Sequence, residues 1–216
     1  MDIVVVIPAY NEEKYIGAVV EEVKKYVPNV IVIDDGSRDR TAEIAKQHKV
    51  ILIRHSTNLG KGAALRNGCD FAIKKGAKAL VVLDADGQHD PSKIPEFLGK
   101  LSEFGLVFGY RELSTTMPFI LRFGNRFISK STHILYGISL RDTQSGYRAF
   151  TAETYPTIRW ESSDYGMESE MIAKAGKHRL KYAEIPIQTI YADKYKGTTV
   201  IDGIKIVMKM VWWRLH

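Results

Sequence analysis

Ala79-Leu-Val-Val-Leu-Asp-Ala-Asp-Gly-Gln-His-Asp90 is the stretch whose reading decides the fold. Its unbroken apolar run reads as a strand buried on both faces, the pattern of a parallel sheet covered by helices. The run ends in Asp84-Ala85-Asp86, with Gln88 two residues on. Carboxylates placed there emerge at the carboxyl edge of the sheet, where open α/β sheets bind ligands. Asp84, Asp86 and Gln88 offer hard oxygen donors suited to magnesium or manganese held together with phosphates. In isolation the same tripeptide also fits a strand followed by a solvated turn, so its surroundings decide.

Outward from this stretch the first half alternates. Apolar strands over Ile3–Pro8, Val30–Asp34, Val50–Arg54 and Ala79–Asp84 are separated by helical patterns near Glu13–Tyr26, Asp39–His48, Lys61–Lys75 and Ser92–Leu101. A fifth strand is expected over Gly105–Tyr110. Such alternation predicts a Rossmann-like, mostly parallel α/β sheet with helices on both faces. The second half is less regular. Residues 116–136 carry Phe119, Ile120, Phe123, Phe127, Ile128, Ile134 and Leu135 at helical spacing, and a strand, a helix and another strand follow near 145–150, 165–177 and 181–191. The last segment, 199–216, reads as an amphipathic helix with Ile201, Ile204, Met208, Val211, Trp212 and Leu215 in one stripe. One catalytic-size domain is expected: 1–110 for a nucleotide, 111–198 for a second substrate, and 199–216 as a terminal interfacial helix.

Composition narrows the partners. The 216 residues are 45% hydrophobic and 26% charged, ordinary values for a globular chain. A single cysteine, Cys69, precludes an internal disulfide and is expected to pack in the core. The net charge of +6 favours polyanionic partners. No secretory leader is expected ahead of the first strand, and no apolar run approaches the ~20 residues that span a bilayer.

Three further strand ends carry chemistry. Pro8-Ala9-Tyr10-Asn11-Glu12 closes the first strand, where proline stops the ladder, Tyr10 can stack on a base and Glu12 can accept from a ribose or base. Asp34-Asp35-Gly36-Ser37 closes the second, as a nucleotide contact or as a cap and turn. Asn58-Leu59-Gly60-Lys61-Gly62 opens a helix like a phosphate-cradling loop, with its amides expected to face an anion. It matches neither a P-loop nor the dinucleotide fingerprint.

Taken together, P-A-Y-N-E, D-D-G-S, N-x-G-K-G and D-A-D-G-Q-H across residues 3–90 resemble the family 2 glycosyltransferases, in particular the polyprenyl-phosphate (dolichyl-phosphate) mannose and glucose synthases. That resemblance implies a GT-A-type fold and a metal-dependent, inverting transfer of a hexose from a UDP- or GDP-sugar to a polyprenyl phosphate. It implies that Pro8, Ala9, Tyr10, Glu12, Asp34, Asp35, Lys61, Asp84, Ala85, Asp86, Gln88 and Lys194 border the nucleotide sugar. Asp84, Asp86 and Gln88 would hold Mg2+ or Mn2+. Past residue 90 it assigns the acceptor phosphate to Arg111, Arg126, Ser129, Asp142, Ser145 and Gly146, with Asp86, Arg111 and Glu168 as catalytic residues. Asn125 and Val200 depart from the basic residues found there in the family.

A phosphomonoester needs little help as a nucleophile, because its second pKa is about 6 and the dianion dominates at neutral pH. The expected partners are therefore a nucleotide sugar, a lipid phosphate and the surface of a membrane, contacted peripherally from its cytoplasmic side. A separate membrane subunit or a second copy of the chain also suits the apolar helices, and nucleic acid is not expected. The alternatives are a family 2 enzyme acting on a sugar hydroxyl and a nucleotide-sugar-binding module without catalysis.

Overall fold

A computed structural model describes residues 2–111, 119–164, 166–188 and 200–215, the side chains of 119–126, 200–204 and Leu215 excepted. In chain order the elements are β1 (Ile3–Ala9), α1 (Ile16–Lys24), β2 (Val30–Asp34), α2 (Thr41–Gln47), β3 (Ile51–Arg54), α3 (Lys61–Lys74), β4 (Ala79–Val82), α4 (Ile94–Phe104), β5 (Leu106–Arg111), α5 (Phe119–Tyr136), β6 (Arg148–Thr151), α6 (Tyr155–Ile158), α7 (Met167–Lys177), β7 (Ala183–Ile187) and α8 (Val200–Leu215). A short 3-10 turn, Pro91–Lys93, leads into α4, started by the Asp90 carboxylate on the Ser92 amide.

The seven strands form one sheet in the order β3-β2-β1-β4-β6-β5-β7. All pairings are parallel except those of β6, which is antiparallel to both β4 and β5. The uninterrupted apolar runs follow from burial on both faces. Val4 and Val6 of β1 join Ile31, Ile33, Leu80 and Phe108 under α3, α5, α7 and α8. Val5 and Ile7 join Val32, Val81 and Val107 under α1 and α4 on the other side. Cys69 is buried on α3 as expected.

Two departures from the sequence reading shape the carboxyl edge. Strand β4 stops at Val82, where its pairing with β1 ends at Val6↔Val82, so Leu83–Asp86 leaves the ladder as a loop. Pro8, in turn, lies inside β1 rather than ending it, paired Pro8↔Ile33 with β2. Its missing N–H is tolerated because β4 has already departed from its other side. Helix α5 and the loop after it return the chain to the carboxyl edge, so β6 has to run back antiparallel. That reversal sets Asp142–Gly146 beside the Asp84–Gln88 loop.

Helices α5 and α8 pack on each other through Ile128, Thr132 and Tyr136 against Ile206 and Met210. The stripe expected on α8 is therefore not the one that meets the core: Met208, Val211 and Trp212 are exposed, as are Phe127 and Ile134 of α5. Ile201, Ile204, Leu215, Phe119, Ile120 and Phe123 lie outside the described side chains.

Candidate active site

The Asp84–His89 loop is held by its own polar groups. The Asp86 carboxylate accepts from the Gln88 amide at 3.0 Å across Gly87, whose φ of 73° lies in the left-handed region. Below it, the Asp84 amide donates to His89 Nδ1 at 3.3 Å. His89 is buried and stacks on Tyr147 at 5.3 Å, and Tyr147 stacks on Phe97 at 4.4 Å. Burial pushes the His89 pKa down, which suits a neutral ring accepting from an amide.

Lys61 is the hub. Its Nζ lies 2.7 Å from Asp84 Oδ1 and 3.0 Å from Glu168 Oε1. Burial penalises the ammonium, but the carboxylates of Asp84 and Glu168 outweigh that penalty and raise its pKa. Burial likewise opposes ionisation of Asp84, yet Lys61 and then His89 and Arg111 hold its carboxyl below the usual range. A Cβ on Gly146 would stand 2.7 Å from Asp84 Oδ2 and 3.0 Å from Lys61 Nζ, so only glycine lets the 142–146 loop pass over this pair. Gly146 thus belongs to the seam between the two halves of the site.

Four amides at the start of α3, expected to face an anion, are taken up by the protein itself. The Asp35 carboxylate, itself buried, accepts from the amides of Leu59 and Gly60 at 2.9 Å and meets His55 Nδ1 at 2.7 Å. The amides of Gly62 and Ala63 donate to the carbonyl of Ser163. Those donors are satisfied internally before any ligand arrives. Asp34 is also turned inward, accepting from the Ser37 amide and pairing with Arg54 at 2.9 Å. The nucleotide contacts expected of Asp34 and Asp35 therefore meet carboxylates already engaged in building the edge. Tyr10 is 43% exposed and remains open to stack on a planar ring, whereas Ala9 and Ala85 are buried. The Glu12 amide is fixed on Thr41 Oγ1 at 2.8 Å.

On the acceptor side, Arg111 at the end of β5 makes a bidentate pair with Asp142, Nε to Oδ2 at 2.6 Å and Nη2 to Oδ1 at 3.1 Å. Arg111 outweighs burial to hold the Asp142 carboxyl below the usual range. Asp142 also accepts from the Gln144 amide and is fully buried as a side chain. The structure shows this buried carboxylate, expected at the acceptor phosphate, bound to Arg111 and so placed to orient it. Ser145 Oγ accepts from the Tyr147 amide at 3.3 Å. The Ser129 hydroxyl is enclosed by protein and has no hydrogen-bond partner among the described residues, so it does not open onto the site in this structure. Lys194 and the side chain of Arg126 lie outside the described residues.

Arg148, which carries no role in the sequence reading, is 1% exposed. It donates to the carbonyls of Thr143, Ser145 and Glu168 at 3.1, 3.0 and 2.9 Å, tying the 142–146 loop to the start of α7. Burial lowers its pKa to about 10. A cation amid Tyr147, Ala149 and Phe150 was the signal available. Glu170, paired with Lys174, accepts from the amides of Glu161 and Ser162 and so braces the loop that caps α3.

Among the described residues no group of three or more His, Cys, Asp or Glu side chains is arranged to hold a metal alone. Magnesium and manganese sites completed by substrate phosphates need only one or two carboxylates, however. Asp86 has an oxygen beyond its turn bond, and Gln88 stands beside it; both are partly exposed at the sheet edge. This donor set fits a hard divalent ion. Asp84 fits less well while its carboxylate is held on Lys61.

Comparison with known proteins bears on the family and the fold. Residues 4–156 match the model of glycosyl transferase family 2. The chain is 33% identical to UDP-N-acetylglucosamine–dolichyl-phosphate N-acetylglucosaminyltransferase of Methanococcus voltae, over 99% of this chain and 96% of that protein. It is 29% identical to undecaprenyl-phosphate mannosyltransferase of Micrococcus luteus, over 94% and 88% of the two chains. The fold superposes with a TM-score of 0.75 on glucosyl-3-phosphoglycerate synthase from Mycobacterium tuberculosis in complex with Mn2+, UDP-glucose and phosphoglyceric acid, covering 97% of this chain and 79% of that one at 20% identity.

Proposed function

The chain belongs to glycosyl transferase family 2, and from that premise we propose that it transfers a hexose from a UDP- or GDP-sugar to a polyprenyl phosphate. The observation that carries this reading is the Arg111–Asp142 pair set across Gly146 from the Lys61–Asp84–Glu168 cluster. One cation stands in each group at the same sheet edge: Lys61 suits the donor diphosphate, together with a divalent ion, and Arg111 suits the acceptor phosphate.

Tyr10 stacks on the base, and Asp86 and Gln88 hold the divalent ion with the donor diphosphate. When bound, that ion neutralises charge developing on the departing diphosphate. Lys61 stands beside Asp84 as the cation of the donor pocket. Arg111, kept in one orientation by Asp142, holds the acceptor phosphate by charge-assisted bonds and aligns it for displacement at the anomeric carbon. A hydroxyl acceptor would need a base. Asp142 gives both oxygens to Arg111 and so does not stand ready for that task, whereas Glu168 gives one to Lys61 and keeps a buried Oε2 without a hydrogen-bond partner among the described residues, which makes it the base on the hydroxyl-acceptor alternative.

Among the described residues no helix is long and apolar enough to cross a membrane. The exposed Phe127, Ile134, Met208, Val211 and Trp212 on α5 and α8 suit peripheral contact with the lipid that carries the acceptor, at the cytoplasmic face. Incubation of the chain with labelled UDP- and GDP-sugars, manganese and polyprenyl phosphate tests the reading. The expected product is a lipid-linked sugar released by mild acid. Transfer only to a sugar hydroxyl, in an acid-stable glycoside, would overturn it. Replacing Arg111 with lysine should raise the KM for the lipid phosphate about 10- to 100-fold while leaving nucleotide-sugar affinity unchanged, because a point charge cannot reproduce the bidentate fork.

A further inference from the structure

A second cavity, of about 540 Å³, opens at the far end of α7 from Glu168, between the C-terminal turns of α5, α7 and α8. Its walls include Ile134, Leu180 and Tyr182, and its charged lining is Lys177, Arg179 and Arg214. No carboxylate lines it, and none of the three cations has a hydrogen bond or ion pair among the described residues. All three are exposed. This contrasts with the basic residues of the sheet edge, where Lys61, Arg111 and Arg54 are each paired. The cavity also borders exposed apolar surface, since Ile134 lines it and is itself exposed on α5. Cations beside an apolar wall, at the margin of an apolar surface, match one ligand chemistry: an anionic group at the end of an apolar tail.

Arg179 adds a second observation. Its φ of 51° is left-handed, at the position after a helix where glycine or asparagine fits with less strain. The turn is well formed, with the Arg179 amide on the Gly176 carbonyl and the Leu180 amide on the Ala175 carbonyl, both at 3.0 Å. An arginine at a glycine position, lining a cationic cavity, indicates a use for its charge rather than for its backbone.

We propose that this cavity binds the phosphate headgroup of an anionic membrane phospholipid, distinct from the acceptor lipid, and so fixes which face of the protein meets the bilayer. The proposal is independent of the transfer reaction, because vesicles without polyprenyl phosphate test it. Co-sedimentation with phosphatidylcholine vesicles, with and without phosphatidylglycerol, measures it. Binding is expected to require phosphatidylglycerol. Each lost cation should weaken binding about five-fold, so the double variant Lys177→Gln, Arg214→Gln should weaken it about 25-fold. A control double variant on the distant α2 edge, Lys46→Gln, Lys49→Gln, should change it by less than about two-fold. Equal losses in both pairs, or none in the first, overturn the proposal.

Arg179→Gly guards against misfolding as an explanation. It should keep or raise the melting temperature while weakening vesicle binding about five-fold, a combination that structural damage does not produce. Soluble short-chain phosphatidylglycerol should raise the melting temperature of the unmodified protein, and inorganic phosphate at equal concentration should not. Equal stabilisation by phosphate would make the cavity a free-anion site and overturn the lipid assignment.

Discussion

Replacing Lys61 with methionine removes the ammonium that pairs with both Asp84 and Glu168 while nearly preserving the length of the side chain. The contacts are 2.7 and 3.0 Å, and the three side chains are 18%, 26% and 4% exposed. At an effective dielectric near 20, each contact represents about 5 kcal/mol of Coulomb attraction, most of it offset by desolvation. The net effect of removing one partner of a buried pair is typically about 3–5 kcal/mol, because charge is left buried without compensation. Asp84 keeps about a quarter of its exposure, so the lower end, about 3 kcal/mol at pH 7.5, is expected. For a chain of this size that lowers the melting temperature by about 6–12 °C.

The loss should shrink in acid, and the sign follows from the shifts. The raised pKa of Lys61 keeps it charged throughout the acidic and neutral range, so its contribution is constant there. The lowered pKa of Asp84 gives stability that is present above its unfolded value and lost as pH falls through its folded value. Without Lys61, the burial that opposes ionisation of Asp84 prevails, and the carboxyl takes up its proton at higher pH than in the parent. Protonation relieves the uncompensated charge, so the two proteins should converge between pH 7.5 and 4.5. Calorimetric melting at several pH values checks this. A loss below about 1 kcal/mol at pH 7.5, or one independent of pH, would refute the hub role of Lys61.

Four further outcomes are expected. Asp86→Ala should lower kcat about 10²- to 10³-fold and abolish manganese-dependent stabilisation by nucleotide sugar, with at most about 1 kcal/mol lost from the turn it caps. Gly62→Ala should destabilise by about 1–3 kcal/mol, since its Cβ would stand 2.3 Å from the Ser162 carbonyl oxygen; Gly99→Ala, with nothing within 4 Å, should stabilise by up to about 1 kcal/mol. Arg148→Met should cost about 3 kcal/mol or more in chemical denaturation, because three carbonyls lose their buried donor. Arg179→Gly should raise the melting temperature by about 2–4 °C, reflecting about 1 kcal/mol of relieved left-handed strain.

Legibility differed by element for physical reasons. Strands β1, β2 and β4 were readable because burial on both faces keeps their runs apolar up to the sheet edge, and β3, a half-exposed edge strand, was readable from the short apolar run at 51–53. The direction of β6 was not, because a short apolar segment carries no sign of its polarity; the return of the chain after α5 imposes it. Helix α8 was readable as a helix with an interfacial stripe, but the face that it turns to the core was not. It has apolar residues on nearly every side, so periodicity alone could not choose Ile206 and Met210 over Met208 and Trp212. The Gly60–Gly62 loop was read as a phosphate cradle because it opens a helix, where amides lack partners along the chain; its glycines allow close backbone approach. They do so, but to the carbonyls of Ser162 and Ser163.

By itself, the sequence determined which groups stand at the carboxyl edge: strand ends place Asp34, Asp84, Asp86 and Arg111 there by local pattern, and family membership follows from the same motifs. Tertiary structure alone decided which of those charges are available. Asp35 binds amides of its own chain, Asp142 clamps Arg111, and Lys61 joins Asp84 to Glu168. Spacing along a chain sets where a side chain begins, whereas its charge and orientation depend on partners brought within about 3 Å by packing, the range over which buried electrostatic interactions are strong.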